Sequence, residues 1–316
     1  MQLQTIIPVQ PLPQPIDYHS KVVCMGSCFA EHMSEQLMDY GFSTVANPFG
    51  ILFNTISIQR LVARIVLNEK FTNDAIFLHN ELWQSYEVHS KLSTTAPEMY
   101  LSEINKQLEI ARNAISAATH FVITLGTSWV YTHQGEVVAN CHKVPQSQFE
   151  KRLISATENA SALHKIMELV RQLNPKIQFI FTVSPVRHTK DGFLENHISK
   201  GNLLSAVYDV IQKDSNVYYF PAYEIVLDEL RDYRFFANDF IHPNSTAIDY
   251  VWERFVTHNI APHCLPTMDE LQTLKRALQH RPQHENTQAW VRFQEQLTQK
   301  IVAFKKRFPE VKFDHY

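Results

Sequence analysis

Two short stretches of the sequence contain residue types that can carry out covalent chemistry. In the first, Lys21–Ala30 (KVVCMGSCFA), an apolar run ends at Gly26 and is followed at once by Ser27 and Cys28. A hydroxyl and a thiol at such a turn are candidate nucleophiles, because the first N–H groups of a following helix are unpaired and favour developing negative charge. Ser27 also fits a helix N-cap, and Cys28 fits a small buried residue.

The second stretch is Asn238–Asn244 (NDFIHPN), in which Asp239 and His242 stand three positions apart. On a turn, this spacing places the carboxylate beside Nδ1 of the imidazole and leaves Nε2 free to act on a nucleophile. An Asp before a helix is often only a cap, so the catalytic interpretation depends on the first stretch as well. Together the stretches predict a nucleophile at Ser27 or Cys28, with His242 as its base and Asp239 as the orienting carboxylate.

The elements that would position these stretches follow from hydrophobic periodicity. Strands are predicted at Lys21–Gly26, Phe121–Gly126, Ile177–Ser184 and Asn216–Phe220. Helices are predicted at Cys28–Tyr40, Asn54–Leu67, Pro97–Ala118, Ser147–Leu173, Glu195–Lys213, Tyr223–Leu230 and Ser245–His258, a loop at Phe42–Gly50, and a hairpin or irregular wall at Ala75–His89. This alternation predicts an α/β fold with a parallel sheet covered on both faces, whose ligands bind at the carboxyl ends of the strands.

Composition divides the chain into three predicted parts. Residues 1–20 are proline-rich and are predicted as an extended N-terminal segment, and residues 21–260 as the α/β domain. Residues 261–316 are predicted as an appended helical extension, with helices at Met268–His280 and Thr287–Phe308 that bury one apolar face.

The composition also excludes several classes of function. A net charge of −3 does not suggest a nucleic-acid-binding protein. No apolar run approaches the ~18 residues of a membrane span. The N-terminal sequence does not fit a signal peptide, and the four cysteines form no C-x-x-C cluster, so we expect a cytoplasmic protein. Glycine-rich phosphate loops and metal-ligand spacings are missing, which predicts neither a cofactor nor a metal. The oligomeric state stays open.

The sequence MGSCFA resembles the motif for which the GSCFA family is named, and through it the SGNH (GDSL-like) hydrolase superfamily. The resemblance extends from about residue 21 to residue 258 and includes Leu125–Tyr131 (LGTSWVY), Ala139–Lys143 (ANCHK), Ser184–His188 (SPVRH) and Asp239–Pro243. It implies a three-layer αβα, flavodoxin-like sheet and a Ser-His-Asp triad that acts on esters. We therefore expect an acyl-ester hydrolase for a small-molecule or carbohydrate ester, of the short-chain or acetyl type.

The resemblance leaves two candidates for the nucleophile. The first motif of the superfamily reads Gly-Asp-Ser, and an ungapped match places its serine on Cys28 and its aspartate on Ser27. Matching by residue type selects Ser27 instead. A thiol beside a histidine is activated by a lowered pKa, whereas a serine needs the histidine as a base. Both residues stay candidates.

The same resemblance implies three oxyanion donors: the N–H of the nucleophile, a glycine N–H from a second motif and an asparagine side chain from a third. Gly50 matches the glycine, but the third motif reads Gly126-Thr127-Ser128, so Ser128 stands at the asparagine position. A hydroxyl can donate, although the loss of one such donor costs roughly 10²–10³ in rate. Other loop residues that could contact the oxyanion or the substrate are Asn47, Asn140, His142 and Arg187.

Two further functions fit these motifs. An O-acyltransferase would use the same chemistry with an acceptor alcohol in place of water. A non-catalytic binding module would keep the fold without efficient chemistry. Ser128 in place of asparagine favours the binding module, whereas the Asp239 and His242 pair argues against it.

Overall fold

The structure is a computed structural model of the 316-residue chain and describes residues 4–282, 287–309 and 311. Parts of the predicted terminal segments, at 1–3, 283–286, 310 and 312–316, lie outside the described residues. The strands are β1 (Lys21–Gly26), β2 (Ser43–Ala46), β3 (Phe77–His79), β4 (Leu82–Gln84), β5 (His120–Leu125), β6 (Trp129–His133), β7 (Glu136–Val138), β8 (Glu150–Leu153), β9 (Gln178–Val183) and β10 (Val217–Tyr219). The helices are α1 (Cys28–Asp39), α2 (Thr55–Leu67), α3 (Pro97–Ala117), α4 (Ala156–Leu173), α5 (Phe193–Lys213), α6 (Ala222–Glu224, continued by the π-helical Ile225–Glu229), α7 (Ser245–Asn259), α8 (Leu265–Gln279) and α9 (Gln288–Arg307).

The central sheet is parallel, with the strand order β10-β9-β5-β1-β2. Counted along the chain, this is the flavodoxin-like order. Successive side chains of a strand point to opposite faces, so Val23 and Met25 pack with residues of α2, α3, α4 and α5. Val22 and Cys24 pack with residues of α1 and α7 on the other face. The three-layer αβα fold predicted from the sequence is confirmed.

The two ends of the chain add to this core. In the N-terminal segment, Ile16 is buried and pairs with Ile260, just beyond α7. At the other end, Leu271, Leu297 and Phe304 belong to a separate apolar cluster between α8 and α9, so the predicted helical extension is present. The domain boundaries after residues 20 and 260 stay predictions. Within the described ranges, no helix has both the length and the apolar character needed to span a membrane.

Two sequence-based predictions of secondary structure were wrong. The predicted loop Phe42–Gly50 contains β2, which pairs with β1 at the edge of the sheet. The long helix predicted at Ser147–Leu173 begins only at Ala156, because Ser155 forms a capping box that starts α4 there. The residues before it include β8, which pairs with β6 in a small antiparallel sheet beside the carboxyl end of β5.

The strand order places a topological switch point between β1 and β5. The chain leaves β1 towards β2 on one side of the sheet and later returns to β5 on the other side, where Gly26 lies opposite Thr124. In open α/β sheets, ligands bind in the crevice at such a switch point. The turn that carries Ser27 and Cys28 is therefore at the usual ligand position of this fold.

Gly26 allows that turn to lie against the neighbouring strand. Its φ is +131°, and a Cβ atom built there would lie 2.0 Å from the carbonyl oxygen of Thr124.

We expect Gly26→Ala to lower the free energy of unfolding by roughly 2–4 kcal/mol, as measured by urea denaturation. Gly201→Ala is the matched control, because a Cβ atom there meets nothing within 4 Å; in the helix it should stabilise by up to ~1 kcal/mol. Equal stabilities of the two variants would contradict this explanation.

Candidate active site

A cleft of about 570 Å³ lies at the carboxyl ends of β1, β5 and β9. Ser27 and Cys28 line it from the turn after β1, and His242 lines it from the segment before α7. Thr127, in the loop after β5, and Arg187, in the loop after β9, complete the set of predicted residues that reach it. The cleft thus contains residues from both of the chemically interesting stretches, which are more than two hundred positions apart in sequence.

Asp239 and His242 form a hydrogen-bonded pair. Oδ2 of Asp239 lies 2.6 Å from Nδ1 of His242, and Oδ1 accepts the N–H groups of Ile241 and His242 at 2.9 and 3.0 Å. The backbone N–H groups of His242 and Ile241, followed by the His242 side chain, lower the pKa of Asp239 to about 2. Because the carboxylate is ionised at neutral pH, Nδ1 carries the proton and donates it, and Nε2 is left as the acceptor.

Ser27 and Cys28 occupy different environments at the turn. Ser27 is the N-cap residue of α1, is 1% exposed, and donates its N–H to the carbonyl oxygen of Thr124 at 3.0 Å. Its Oγ has no hydrogen-bond partner in the part of the chain that the structure describes. Cys28 is the first residue of α1 and is only partly buried. Its N–H belongs to the first turn of α1, makes no backbone–backbone hydrogen bond to another described residue, and lies close enough to the Cys28 thiol to lower its pKa. Burial raises the pKa of the Cys28 thiol, opposed by the Phe29 N–H and by the charge of Lys200.

Lys200 is a buried lysine beneath the cleft. It lies on α5, is 1% exposed, and donates from Nζ to the carbonyl oxygens of Gly126 and Ser184, both at 2.6 Å. These carbonyls directly follow β5 and β9, so the ammonium group holds the carboxyl ends of two neighbouring strands together. Burial lowers the pKa of Lys200 to about 7, and the neighbouring Cys28 opposes that shift.

The remaining wall of the cleft is aromatic and basic. Trp129 and Tyr131, two positions apart on β6, both line it, and Nζ of Lys151 lies 4.4 Å from the centre of the Trp129 ring. His188 lines it as well; burial first, and then the charge of Lys200, lower its pKa to about 4, so its imidazole is neutral at neutral pH. In the described part of the chain, no group of three or more His, Cys, Asp or Glu side chains is placed to hold a metal ion.

The glycine expected to supply an oxyanion donor is turned away from the cleft. Gly50 donates its N–H to the carbonyl oxygen of Asn47 at 2.7 Å, and it packs against His89. Asn47 supports the nucleophile turn from below: its Oδ1 accepts the N–H of Gly26 at 2.8 Å, and its Nδ2 is buried without a partner. Neither Gly50 nor Asn47 is among the described residues that line the cleft.

Ser128 does not replace the expected asparagine either. Its side chain is fully buried, donates from Oγ to the carbonyl oxygen of Ser199 at 2.8 Å, and accepts Nδ2 of Asn159 at 3.0 Å. Thr127 lines the cleft, but its N–H is bonded to the carbonyl oxygen of Phe53 at 3.0 Å. Gly126 donates to the same carbonyl at 2.8 Å. The backbone N–H groups of residues 126 and 127 are therefore both occupied, and neither is available to a substrate in the cleft.

The last three predicted contacts separate into two groups. His142 is buried, with Nε2 2.7 Å from the carbonyl oxygen of Ser85, and Asn140 caps its N–H at 2.8 Å. Burial lowers the pKa of His142. Both residues brace the loop after β7 and do not reach the cleft. Arg187, in contrast, lines both the cleft and an adjoining groove of about 530 Å³ that also contains Asp239.

Sequence reasoning did not assign Asn54, Trp129 and Tyr131, which line the cleft, or Lys200, which lies beside it. The alternation of Trp129 and Tyr131 directly after the third motif was a usable signal for a short strand with one shared face. Asn54 was visible as a helix cap, but a cap alone does not indicate a site. The position of Lys200 depends on contacts with Gly126 and Ser184, which no local pattern contains.

Comparisons with known proteins identify the family to which the chain belongs. Two solved structures resemble the chain at 13% identity: a carbohydrate esterase family 3 protein from Talaromyces cellulolyticus (TM-score 0.28, covering 51% of this chain and 67% of that one) and a mutant acetyl esterase with an acetate ion (TM-score 0.27, 52% and 68%). No curated protein matches the sequence. Residues 21–255 match the GSCFA family, and residues 271–315 match the C-terminal domain of GSCFA domain proteins. The chain therefore belongs to the GSCFA family.

Proposed function

We propose that the chain is an acyl-ester hydrolase of the SGNH type, in which Cys28 is the nucleophile, His242 is the general base and Asp239 orients the imidazole. One observation carries this proposal: Cys28 and His242 line the same cleft, while Asp239 binds Nδ1 of His242 and leaves Nε2 free. A nucleophile, a base and a group that orients the base are the three parts that this chemistry requires.

Several features favour Cys28 over Ser27 as the nucleophile. The side chain of Cys28 is partly accessible, whereas Oγ of Ser27 is buried. No other backbone group among the described residues accepts the N–H of Cys28, so it can stabilise charge at this turn, whereas the N–H of Ser27 is bonded to Thr124. Cys28 also stands at the serine position in an ungapped match to Gly-Asp-Ser. Its raised pKa means that the resting side chain is a thiol, so it needs a base, as a serine does.

The reaction then proceeds in two halves. Nε2 of His242 takes the thiol proton while Sγ of Cys28 attacks the carbonyl carbon, and the π electrons move to the carbonyl oxygen. Collapse of this oxyanion breaks the C–O bond, and the leaving alkoxide takes the proton from His242, which leaves a thioester on Cys28. Water next gives a proton to His242 and attacks the thioester; the C–S bond breaks, the acid leaves, and Cys28 regains its proton. The charge of Lys200 favours the thiolate as it forms.

The walls of the cleft support a small polar ester as substrate. Trp129 and Tyr131 offer aromatic surface on one side, and the guanidinium of Arg187 can donate to hydroxyl or carbonyl oxygens on the other. Aromatic surface with a few polar donors suits a carbohydrate carrying an acetyl or another short acyl group. An acyltransferase would use the same residues, with an alcohol in place of water in the second half.

The proposal is tested by supplying p-nitrophenyl acetate with and without sugar alcohols. We expect wild-type protein to release acetate and p-nitrophenol in equal amounts, at a kcat/KM well above that of a variant that lacks the His242 imidazole. Acetylated sugar as the main product would identify the acyltransferase instead. Hydrolysis by the wild-type protein no faster than in buffer alone would contradict the enzymatic function and favour the binding module.

A further inference from the structure

The oxyanion of the proposed reaction lacks a donor beyond the nucleophile itself. Tetrahedral intermediates of acyl transfer are usually held by several preorganised N–H groups. The N–H of Cys28 is one of them, but Gly50 donates to Asn47 and Ser128 donates to Ser199, so both expected partners are already used. A side chain that lines the cleft from another loop can supply a further donor.

We propose that Asn54 is this donor, an assignment that rests on the proposed function. Asn54 is the N-cap residue of α2 and lines the cleft with Cys28. Its Oδ1 accepts the N–H of Ser57 at 2.8 Å, which fixes the planar carboxamide, and its Nδ2 makes no hydrogen bond to any described residue. Asn54 is only 6% exposed, so few partners other than a ligand in the cleft can reach its Nδ2 group.

The segment that carries Asn54 is bonded to both neighbouring loops. The N–H of Leu52 donates to the carbonyl oxygen of Gly26 at 2.9 Å, two residues before Cys28. The carbonyl oxygen of Phe53 accepts the N–H groups of Gly126 and Thr127 at 2.8 and 3.0 Å. The backbone next to Asn54 is therefore fixed to the nucleophile turn on one side and to the loop after β5 on the other. A donor held in this way needs no reorganisation when negative charge develops.

A role as a helix cap explains only one end of the carboxamide. Capping needs an acceptor for the N–H of Ser57, and serine or aspartate supplies it about as well as asparagine. The Nδ2 group has no part in the cap. A substitution that keeps the acceptor and removes the amide group therefore separates the two roles.

Asn54→Ser is such a substitution, and it leaves the local charge unchanged. We expect kcat for p-nitrophenyl acetate to fall by roughly 10²–10³, with KM changed by less than about threefold. 1,1,1-Trifluoroacetone provides a second readout, because Sγ of Cys28 adds to its carbonyl carbon, the thiol proton passes to His242, and the oxygen becomes an oxyanion. Its affinity, followed by ¹⁹F NMR, should weaken by about 10² in the variant.

Alkylation of Cys28 by iodoacetamide, which creates no oxyanion, should keep its wild-type rate within about threefold in Asn54→Ser. Asn54→Asp should lose at least as much activity as Asn54→Ser, since it keeps the cap but replaces the NH₂ group with an acceptor. Asn73→Ser, on an exposed turn, controls for the substitution.

Wild-type kcat and ketone affinity in Asn54→Ser would overturn the assignment and leave the proposed function intact. A parallel loss of the alkylation rate would also overturn it, because Asn54 would then act on the thiol. If wild-type protein neither hydrolyses the ester nor forms the ketone adduct, the proposed function fails, and this assignment fails with it.

Discussion

Cys28→Ala is expected to lower kcat/KM for p-nitrophenyl acetate by at least ~10³-fold, whereas Ser27→Ala should keep it within about tenfold of wild type. The alanine at 28 removes the atom that forms the thioester. The alanine at 27 removes an Oγ that makes no cap hydrogen bond and has no other partner, so no group is left unsatisfied. Steady-state kinetics gives both rates, and mass spectrometry of the protein during turnover should show one added acetyl group that is lost in Cys28→Ala.

Cys141→Ala is the matched thiol control. Cys141 is a partly buried free cysteine like Cys28, but it is not among the described residues that line the cleft. Its replacement should leave both the rate and the added acetyl group unchanged. The opposite pattern, with activity lost in Ser27→Ala and kept in Cys28→Ala, would show that the match by residue type is the right one. Loss in both variants with wild-type stability would mean that Ser27 has a role that its buried Oγ does not explain.

The features that could be predicted from the sequence are those encoded locally. β1 and β5 are short and mostly buried strands; β1 ends at Gly26 and β5 ends just before Gly126. Helix α2 begins directly after the asparagine that caps it. Asp239 and His242 are three positions apart in a single turn, so the hydrogen bond between their side chains follows from the local sequence. The alternation of strands and helices is enough to predict a parallel sheet. In such a sheet the carboxyl ends of the strands lie at one edge, so the position of the site follows from the fold.

The features that could not be predicted depend on distant partners. Whether Ser128 faces the substrate is decided by Ser199 and Asn159, which are 71 and 31 positions away. Gly50 is the exception, because its N–H is taken up in a local turn by the carbonyl oxygen of Asn47, three residues earlier. β2 and β8 are short strands with mostly polar or partly exposed residues, so their sequences carry little hydrophobic periodicity. The oxyanion donors were therefore the part of the site for which motif matching was least reliable.

The second large effect is expected when the general base, His242, is removed. His242→Ala should lower kcat/KM by at least ~10³-fold, because no other described residue that lines the cleft combines a free imidazole nitrogen with an orienting carboxylate. His197→Ala, on the exposed side of α5, is the control and should retain wild-type activity. His188 also lines the cleft, and burial keeps it neutral. Residual activity near the wild-type level in His242→Ala would therefore identify His188 as the base.

Asp239→Asn tests how the base is oriented. The pKa of Asp239 is about 2, so the carboxylate stays charged above about pH 3, and any acidic limb of kcat/KM reports a group other than Asp239. Because this pKa is lowered in the folded state, the stability contributed by Asp239 is present above its unfolded value of about 4 and is lost as the pH falls towards 2.

In Asp239→Asn, an amide oxygen can still accept the N–H groups of Ile241 and His242, which keeps the turn. The amide nitrogen would instead face Nδ1–H of His242 as a second donor, which favours the wrong tautomer and removes the charge that stabilises the imidazolium. We expect kcat/KM to fall by roughly 10²–10⁴. A kcat/KM within about threefold of wild type would mean that Asp239 only holds the turn and does not orient His242.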